Sequence, residues 1–257
     1  MWKTLRVGVL LLVLAYVASG TWFEQRRVHA WQQTLYVGIY PLPGDDSPHT
    51  RNYLARLDRG EFAAIDAFFA GEAKRYGLRL ADPLHIQLMP AGTELPPSPP
   101  VHGGLLPTIW WSLKLRYYAA RHGGAPSGST PPIRIFVIYH DPALTPRVPH
   151  SAGVEKGLIG VAHVFAFAPM GQTNNVVISH ELLHTLGATD KYDSATDAPQ
   201  FPDGYGDPGQ SPRFPQRFAE LMAGRIALSA TTQEIPQSLE SCVIGAATAA
   251  EIRWPDR

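Results

Sequence analysis

The distribution of apolar residues along the chain predicts both strands and helices. Short runs rich in β-branched and aromatic residues, bounded by turn residues, predict strands at 35–42, 84–89, 133–139 and 157–168. Apolar residues at three- and four-residue spacing predict helices at 58–76, 109–122, 175–186 and 243–254. The run at 133–139 is apolar almost throughout, which indicates a strand buried on both faces. Strands and helices alternate, so we expect an α/β (α+β) fold with a small mixed, twisted sheet.

The predicted helix at 175–186 is apolar almost all round, and a helix without a polar face is expected in the core. Thr173 or Asn174 is its candidate N-cap, and Gly187 ends it because glycine accepts the left-handed conformation of a helix terminus. Helix 175–186 is therefore predicted to be the central helix of the domain. Clusters of proline, glycine and polar residues predict surface loops at 90–107 and 193–218.

The N-terminal residues predict contact with a membrane. Two basic residues, Lys3 and Arg6, precede the uncharged run 7–23. Ala18 and Gly20 are typical of a signal cleavage site, whereas the aromatic pair at 22–23 is typical of an interfacial anchor. Both interpretations are open, and the anchor is preferred. We therefore expect 1–28 to be a cytoplasmic tip with an anchor or signal, and 29–257 to be an extracytoplasmic domain, attached to the inner membrane or secreted.

The amino-acid composition argues against a nucleic-acid partner and excludes a cysteine-rich metal site. The 257 residues include 22 Lys and Arg and 22 Asp and Glu, so no global field favours nucleic acid, and no nucleic-acid partner is expected. Cys242 is the single cysteine. One cysteine excludes an intramolecular disulfide and a cysteine-rich metal site, so Cys242 is expected to pack as a small apolar residue.

The segment 179–192, SHELLHTLGATDKY, contains the candidate chemistry. His180 and His184 stand four apart, which places both imidazoles on one face of a helix, where they can share a zinc ion. Glu181 lies beside them and can accept a proton from a metal-bound water. Gly187 allows the chain to turn back, so that Asp190 can act as a third ligand. Three protein ligands with one open position are typical of a catalytic zinc site.

These residues resemble the metzincin metallopeptidases, and most of all the snapalysin family of small secreted zinc endopeptidases. The family pattern is HExxHxxGxxD, followed by a tyrosine and by a methionine turn in an ELM context. Matching positions here are His180, Glu181, His184, Gly187, Asp190, Tyr192 and the ELMAG of 220–224.

The resemblance implies a metzincin-like zincin fold with a central active-site helix. The N-terminal subdomain would span about 33–187 and a loop-rich C-terminal subdomain about 188–257. It also implies zinc ligation by His180, His184 and Asp190, general-base catalysis by Glu181, and a position for Met222 beneath the metal. The segment 193–219 is longer than expected between the third ligand and the methionine turn, so the wall of the substrate cleft is expected to differ.

The expected function is that of a zinc-dependent endopeptidase acting on peptide or protein substrates. The alternative is a non-catalytic or self-processing zinc-binding protein of the cell envelope. Tyr192 is either a hydrogen-bond donor to the tetrahedral oxyanion or a support for Asp190. Glu220 is an alternative third ligand, and Asp190 is preferred because Gly187 supplies the turn that its spacing requires.

Two further features give weaker signals. The aspartates of the long loop are candidate Ca²⁺ ligands, but their spacing matches no compact calcium loop, so a solvated loop is preferred. They are Asp193, Asp197, Asp203 and Asp207. The strand predicted at 157–168 is a candidate exposed edge that pairs with a peptide, and its His163 faces either the cleft or solvent.

Overall fold

The computed structural model describes residues 27–100, 104–125, 130–149, 151–154 and 157–255. The uncharged run 7–23, predicted as an anchor or a signal, lies outside the described residues. Among the helices that the structure describes, none has the length and apolar character needed to cross a bilayer.

Five strands form the main sheet: β1 (Leu35–Pro43), β2 (Leu84–Leu88), β3 (Ile133–His140), β4 (Ala152–Val154) and β5 (Ile159–Phe165). Their order is β2-β1-β3-β5-β4, in which the first four strands are parallel and β4 is antiparallel to β5. The mixed α/β sheet is therefore confirmed. The expectation that 157–168 forms an exposed edge is wrong, because β5 lies between β3 and β4. The three residues of β4 are too few to produce a recognisable alternation in sequence.

Among the described residues, five α-helices accompany the sheet: α1 (Pro48–Leu54), α2 (Ala63–Arg75), α3 (Leu105–His122), α4 (Gly171–Thr185) and α5 (Ala246–Glu251). Helix α1 was not predicted, although Ser47 caps it by accepting a hydrogen bond from the Thr50 amide at 3.0 Å. A 3₁₀ turn, Arg59–Phe62, occupies the first part of the helix predicted at 58–76. The C-terminal helix is shorter than the predicted 243–254.

Helices cover both faces of the sheet. On one face, α2 and α4 pack through residues such as Phe69 and Leu182 in the larger hydrophobic cluster. On the other face, α3 contributes Leu115 and Ala119 to a second cluster. Strand β3 is buried along nearly its whole length, as predicted for a strand covered on both sides.

Helix α4 begins four residues earlier than predicted, at Gly171. The expectation that Thr173 or Asn174 caps it is wrong. The Asn174 side chain pairs with both backbone groups of Phe165, donating to its oxygen at 2.9 Å and accepting from its nitrogen at 3.3 Å. Asn175 donates to the oxygen of Glu61 at 2.7 Å. These polar side chains therefore fasten α4 to the sheet and to the 3₁₀ turn.

The C-terminal third shares the larger cluster although it contains little regular structure. Four two-residue strands occur there: β6 (Ala219–Glu220), β7 (Ile226–Ala227), β8 (Gln233–Glu234) and β9 (Cys242–Val243). Trp31 donates to the oxygen of Ile252 at 2.8 Å, and its ring lies edge-on to Trp254. Cys242 is buried, as predicted. Chain segments on both sides of α4 thus contribute to the larger hydrophobic cluster.

Candidate metal centre

The two histidines of α4 present one nitrogen each to a common point. The Nε2 atoms of His180 and His184 lie 3.1 Å apart. Their Nδ1 atoms face backbone oxygens, of Leu221 at 3.0 Å and of Ala188 at 2.9 Å. Since a carbonyl only accepts, each Nδ1 carries a proton and donates it, so Nε2 is the atom whose lone pair binds a metal when the ring is neutral.

Asp190 completes the group from the loop that follows α4. Gly187 has a φ of +93°, and the left-handed turn there reverses the chain. The Oδ1 atom of Asp190 consequently lies 3.2 Å from the Nε2 atoms of both His180 and His184. The structure thus brings together the three residues that the spacing suggested.

A clamp on both sides of Asp190 fixes this loop. Glu251, in α5, accepts hydrogen bonds from the Thr189 amide at 2.9 Å and from its hydroxyl at 2.7 Å. Lys191 is buried, and its ammonium donates to Glu251 at 2.8 Å and to the backbone oxygen of Thr189 at 2.9 Å. The position of Asp190 is therefore set by the C-terminal helix, 60 residues away from Lys191 along the chain.

Glu181 lies next to the histidines and is almost fully buried, at 4% exposure. Potential ligand atoms of His180, Glu181 and His184 all lie within 4.8 Å of one another, and this group can hold a metal ion. The Oε2 atom of Glu181 is buried and has no hydrogen-bond partner among the described residues. A buried polar atom without a partner is uncommon and indicates a role beyond packing.

The charges of the group favour a cation at the meeting point. Burial alone would lower the pKa of His180, but Asp190, Glu181 and the Leu221 oxygen outweigh it and raise that pKa to about 9. Burial would raise the pKa of Asp190, but hydrogen bonds with the two histidines lower it well below its usual range. Positive charge is therefore stabilised where the two Nε2 atoms converge.

Glu220 is engaged elsewhere, which argues against it as the third ligand. Its Oε2 accepts from the Met222 amide at 2.7 Å and the Ala223 amide at 3.0 Å. Its Oε1 accepts from the Gly245 amide at 3.0 Å and the Thr248 hydroxyl at 2.7 Å. Burial raises the pKa of Glu220 and these four donors oppose that rise.

This carboxylate organises the turn at 220–224. Met222 is fully buried in the larger cluster, and Gly224 ends the turn with a φ of +65°. Leu221, between Glu220 and Met222, supplies the oxygen that accepts from His180. Glu220 thus supports His180 through the turn backbone, and no spacing in the sequence indicated this contact.

A cleft of about 440 Å³ opens onto the group. Glu181, Asp190 and Tyr192 line it. Burial and the nearby carboxylates, Asp190 first among them, raise the pKa of Tyr192, so its hydroxyl is a hydrogen-bond donor at neutral pH. Both roles suggested for Tyr192 remain compatible with its place in the cleft wall.

His163 lines the same cleft and has a partner that the sequence did not indicate. Its Nδ1 lies 2.9 Å from Nε2 of His140, on the neighbouring strand β3. Burial and the adjacent His140 lower the pKa of His163 to about 4. Both rings are therefore neutral near pH 7 and form a hydrogen-bonded pair.

The loop aspartates do not converge on a second site. Asp193 accepts from the amides of Ala195 at 2.9 Å and Thr196 at 3.0 Å, which closes a local turn. Asp197 pairs with Arg225 at 3.6 Å. In the part of the chain that the structure describes, the group around His180 is the one cluster able to hold a metal.

Comparisons with known proteins leave the chain without a named family. No model of a known protein family matches it, and no curated protein sequence matches it either. The likeness to the metzincins therefore remains a prediction from the motif.

Proposed function

We propose that the protein is a zinc-dependent endopeptidase, similar to the snapalysin family of metzincins. In this proposal His180, His184 and Asp190 hold the zinc ion. The convergence of their three ligand atoms at 3.1–3.2 Å, beside Glu181, is the observation that supports it most.

The distances and the donor set suit zinc. A tetrahedral zinc ion about 2.0–2.1 Å from each ligand atom separates those atoms by about 3.3–3.4 Å, close to the spacing observed here. Two imidazoles and one carboxylate are ligands that zinc accepts readily, and the three leave a fourth position for water or substrate. Each imidazole also has a carbonyl partner at Nδ1, as metal-bound histidines usually do.

The chemistry divides between the metal and Glu181. Bound zinc supplies a Lewis acid that acidifies water and polarises the scissile carbonyl. Glu181 accepts the proton of the attacking water and passes it to the leaving amine. Burial raises the pKa of Glu181 above its ordinary value, which brings it closer to the working pH of a general base.

The cleft suits an extended peptide. Strand β4 ends the sheet beside the cleft, and its outer edge pairs with no other described strand. Such an edge can align a substrate backbone by strand addition. Ser151, next to β4, and the apolar residues Phe165, Val176 and Ile235 line the same cleft, so a substrate side chain can be buried beside the metal group.

The test combines metal analysis with hydrolysis. We expect one zinc ion per chain and chelator-sensitive cleavage of a peptide library. Glu181→Gln should retain zinc but lower the rate about 10²-fold to 10⁴-fold. Asp190→Ala should lose zinc, whereas Asp193→Ala, which changes an exposed aspartate three residues further on, should keep both zinc and activity.

Two results would contradict the proposal. A fully active Glu181→Gln variant would remove the general base from the mechanism. Zinc binding without cleavage of any peptide in the library, by the parent as well as by the variants, would favour the non-catalytic alternative.

A further inference from the structure

Helix α3 presents an apolar face to the solvent. Leu105, Ile109, Leu113 and Tyr117 stand four residues apart along one side of it, and a second row adjoins them. The second row consists of Leu106 and Trp110. All six are exposed, and the exposed fraction reaches 77% at Leu105 and Leu106 and 61% at Trp110.

The opposite side of the same helix already packs against the sheet. Leu115, Tyr118 and Ala119 are buried there in the smaller hydrophobic cluster. The outward face is therefore not needed for the fold. Exposed apolar residues scattered singly are ordinary, but six on one helix form a continuous surface of the kind that marks an interaction site.

The charged side chains of α3 itself are all basic, and the acidic Glu94 lies 3.3 Å from His122, the last residue of the helix. Helix α3 contains Lys114, Arg116 and Arg121 and no acidic residue. The Lys114 ammonium lies 5.4 Å from the centre of the Trp110 ring, and Arg121 donates to the Tyr117 hydroxyl at 3.3 Å. Basic side chains thus border the two exposed aromatic rings.

We propose that α3 lies in the interface of a lipid bilayer that contains anionic lipids. Helices that lie in an interface combine an apolar face, which contacts the acyl chains, with flanking Lys and Arg that meet anionic headgroups. Trp and Tyr are enriched at the same depth. The same chain includes the uncharged run 7–23, which, as the predicted anchor, would hold the protein at a membrane. The proposal does not depend on the peptidase function.

The depth of α3 can be measured on the full chain in vesicles of phosphatidylcholine and phosphatidylglycerol. A nitroxide is attached to Leu106→Cys or Leu113→Cys, and the buried Cys242 stays unlabelled in the folded protein. Ala67→Cys is the matched control, because it is an exposed helical position on α2, across the sheet from α3. Circular dichroism confirms that each labelled chain keeps the parent fold.

We expect spin labels at 106 and 113 to collide more with oxygen, which concentrates in lipid, than with a water-soluble nickel complex. The label at 67 should show the reverse. Lys114→Gln and Arg121→Gln should each lower the ratio of lipid-inserted to free α3 roughly five-fold. Equal nickel accessibility at all three positions would overturn the proposal. Shielding of 106 and 113 from both agents would also overturn it, because protein, either residues 7–23 or a second copy, would then cover the face.

Discussion

Replacing Glu220 by alanine should loosen the turn that supports His180. The Glu220 carboxylate is fully buried and accepts four hydrogen bonds, from three amides and one hydroxyl. A buried donor that loses its acceptor costs about 1–3 kcal/mol. The Thr248 hydroxyl can rotate to another acceptor and a water can serve one amide, so two donors stay orphaned. We therefore expect Glu220→Ala to lower the free energy of unfolding by about 2–6 kcal/mol.

The Glu220→Gln variant keeps the size and shape of the side chain but removes its negative charge. The glutamine oxygen can accept from the amides of Met222 and Ala223, and its NH₂ group can donate to the Thr248 hydroxyl. The same NH₂ group faces the Gly245 amide, so one donor is left without an acceptor. A loss of about 1–3 kcal/mol is expected, between the parent and the alanine variant.

The assay has two readouts. Urea unfolding gives the free energy of unfolding, and competition with a chelator gives the zinc affinity. Because Leu221, held by this turn, accepts from the Nδ1 of His180, zinc affinity should fall about 10-fold to 100-fold in Glu220→Ala. Glu234→Ala, which removes an exposed glutamate, should change stability by less than about 0.5 kcal/mol. Parent-like zinc affinity in Glu220→Ala, or a glutamine variant less stable than the alanine variant, would refute the reasoning.

Three further predictions concern stability in urea. A Cβ at Gly204 would collide with the backbone oxygen of Lys191, so Gly204→Ala should lower the free energy of unfolding by about 1–3 kcal/mol. Gly71 lies inside α2 with open space around it, so Gly71→Ala should raise the free energy of unfolding by about 0.5–1 kcal/mol. Equal effects of the two substitutions would contradict this reasoning. Burial would raise the pKa of Glu251, but its contacts with Lys191 and Thr189 outweigh burial and lower that pKa. The contribution of ionised Glu251 to folding stability is therefore present above pH about 4.3 and is lost as the pH falls through the lowered pKa. Lys191→Met should therefore be less stable at pH 7, with a difference from the parent that shrinks in acid. The pKa of His163 is lowered to about 4 in the folded protein, so as the pH falls the unfolded chain binds a proton at His163 before the folded chain does. The free energy of unfolding should therefore fall between about pH 6.5 and pH 4, and His163→Gln should reduce this pH dependence.

Long patterned elements could be predicted from sequence, and short ones could not. Strands β1 and β3 agree with prediction to within one residue at each end, because their apolar runs are long and bounded by turn residues. Helix α1 and strand β4 were missed, since seven and three residues give too little periodicity. Asn174 was a cap candidate in sequence, but its side chain forms tertiary hydrogen bonds to the backbone of Phe165 instead.

The metal group was largely predictable because its geometry is local. A four-residue spacing on a helix fixes His180 against His184, and the left-handed turn at Gly187 returns Asp190. What surrounds the group is set by long-range contacts. The Leu221 oxygen lies 41 residues beyond His180, and no spacing rule connects the two.

Three contacts within the fold position the candidate metal group. Helix α4 is fastened to β5 through Asn174, the turn at 220–224 is fastened by Glu220, and the Asp190 loop is fastened by Glu251. Each of these side chains forms its hydrogen bonds within the fold, so contacts from three sides position His180, His184 and Asp190. Such positioning would favour metal binding, and the Oε2 atom of Glu181, which has no hydrogen-bond partner among the described residues, lies beside the group. A purely structural site would gain nothing from that buried carboxylate, and this favours catalysis over a structural role.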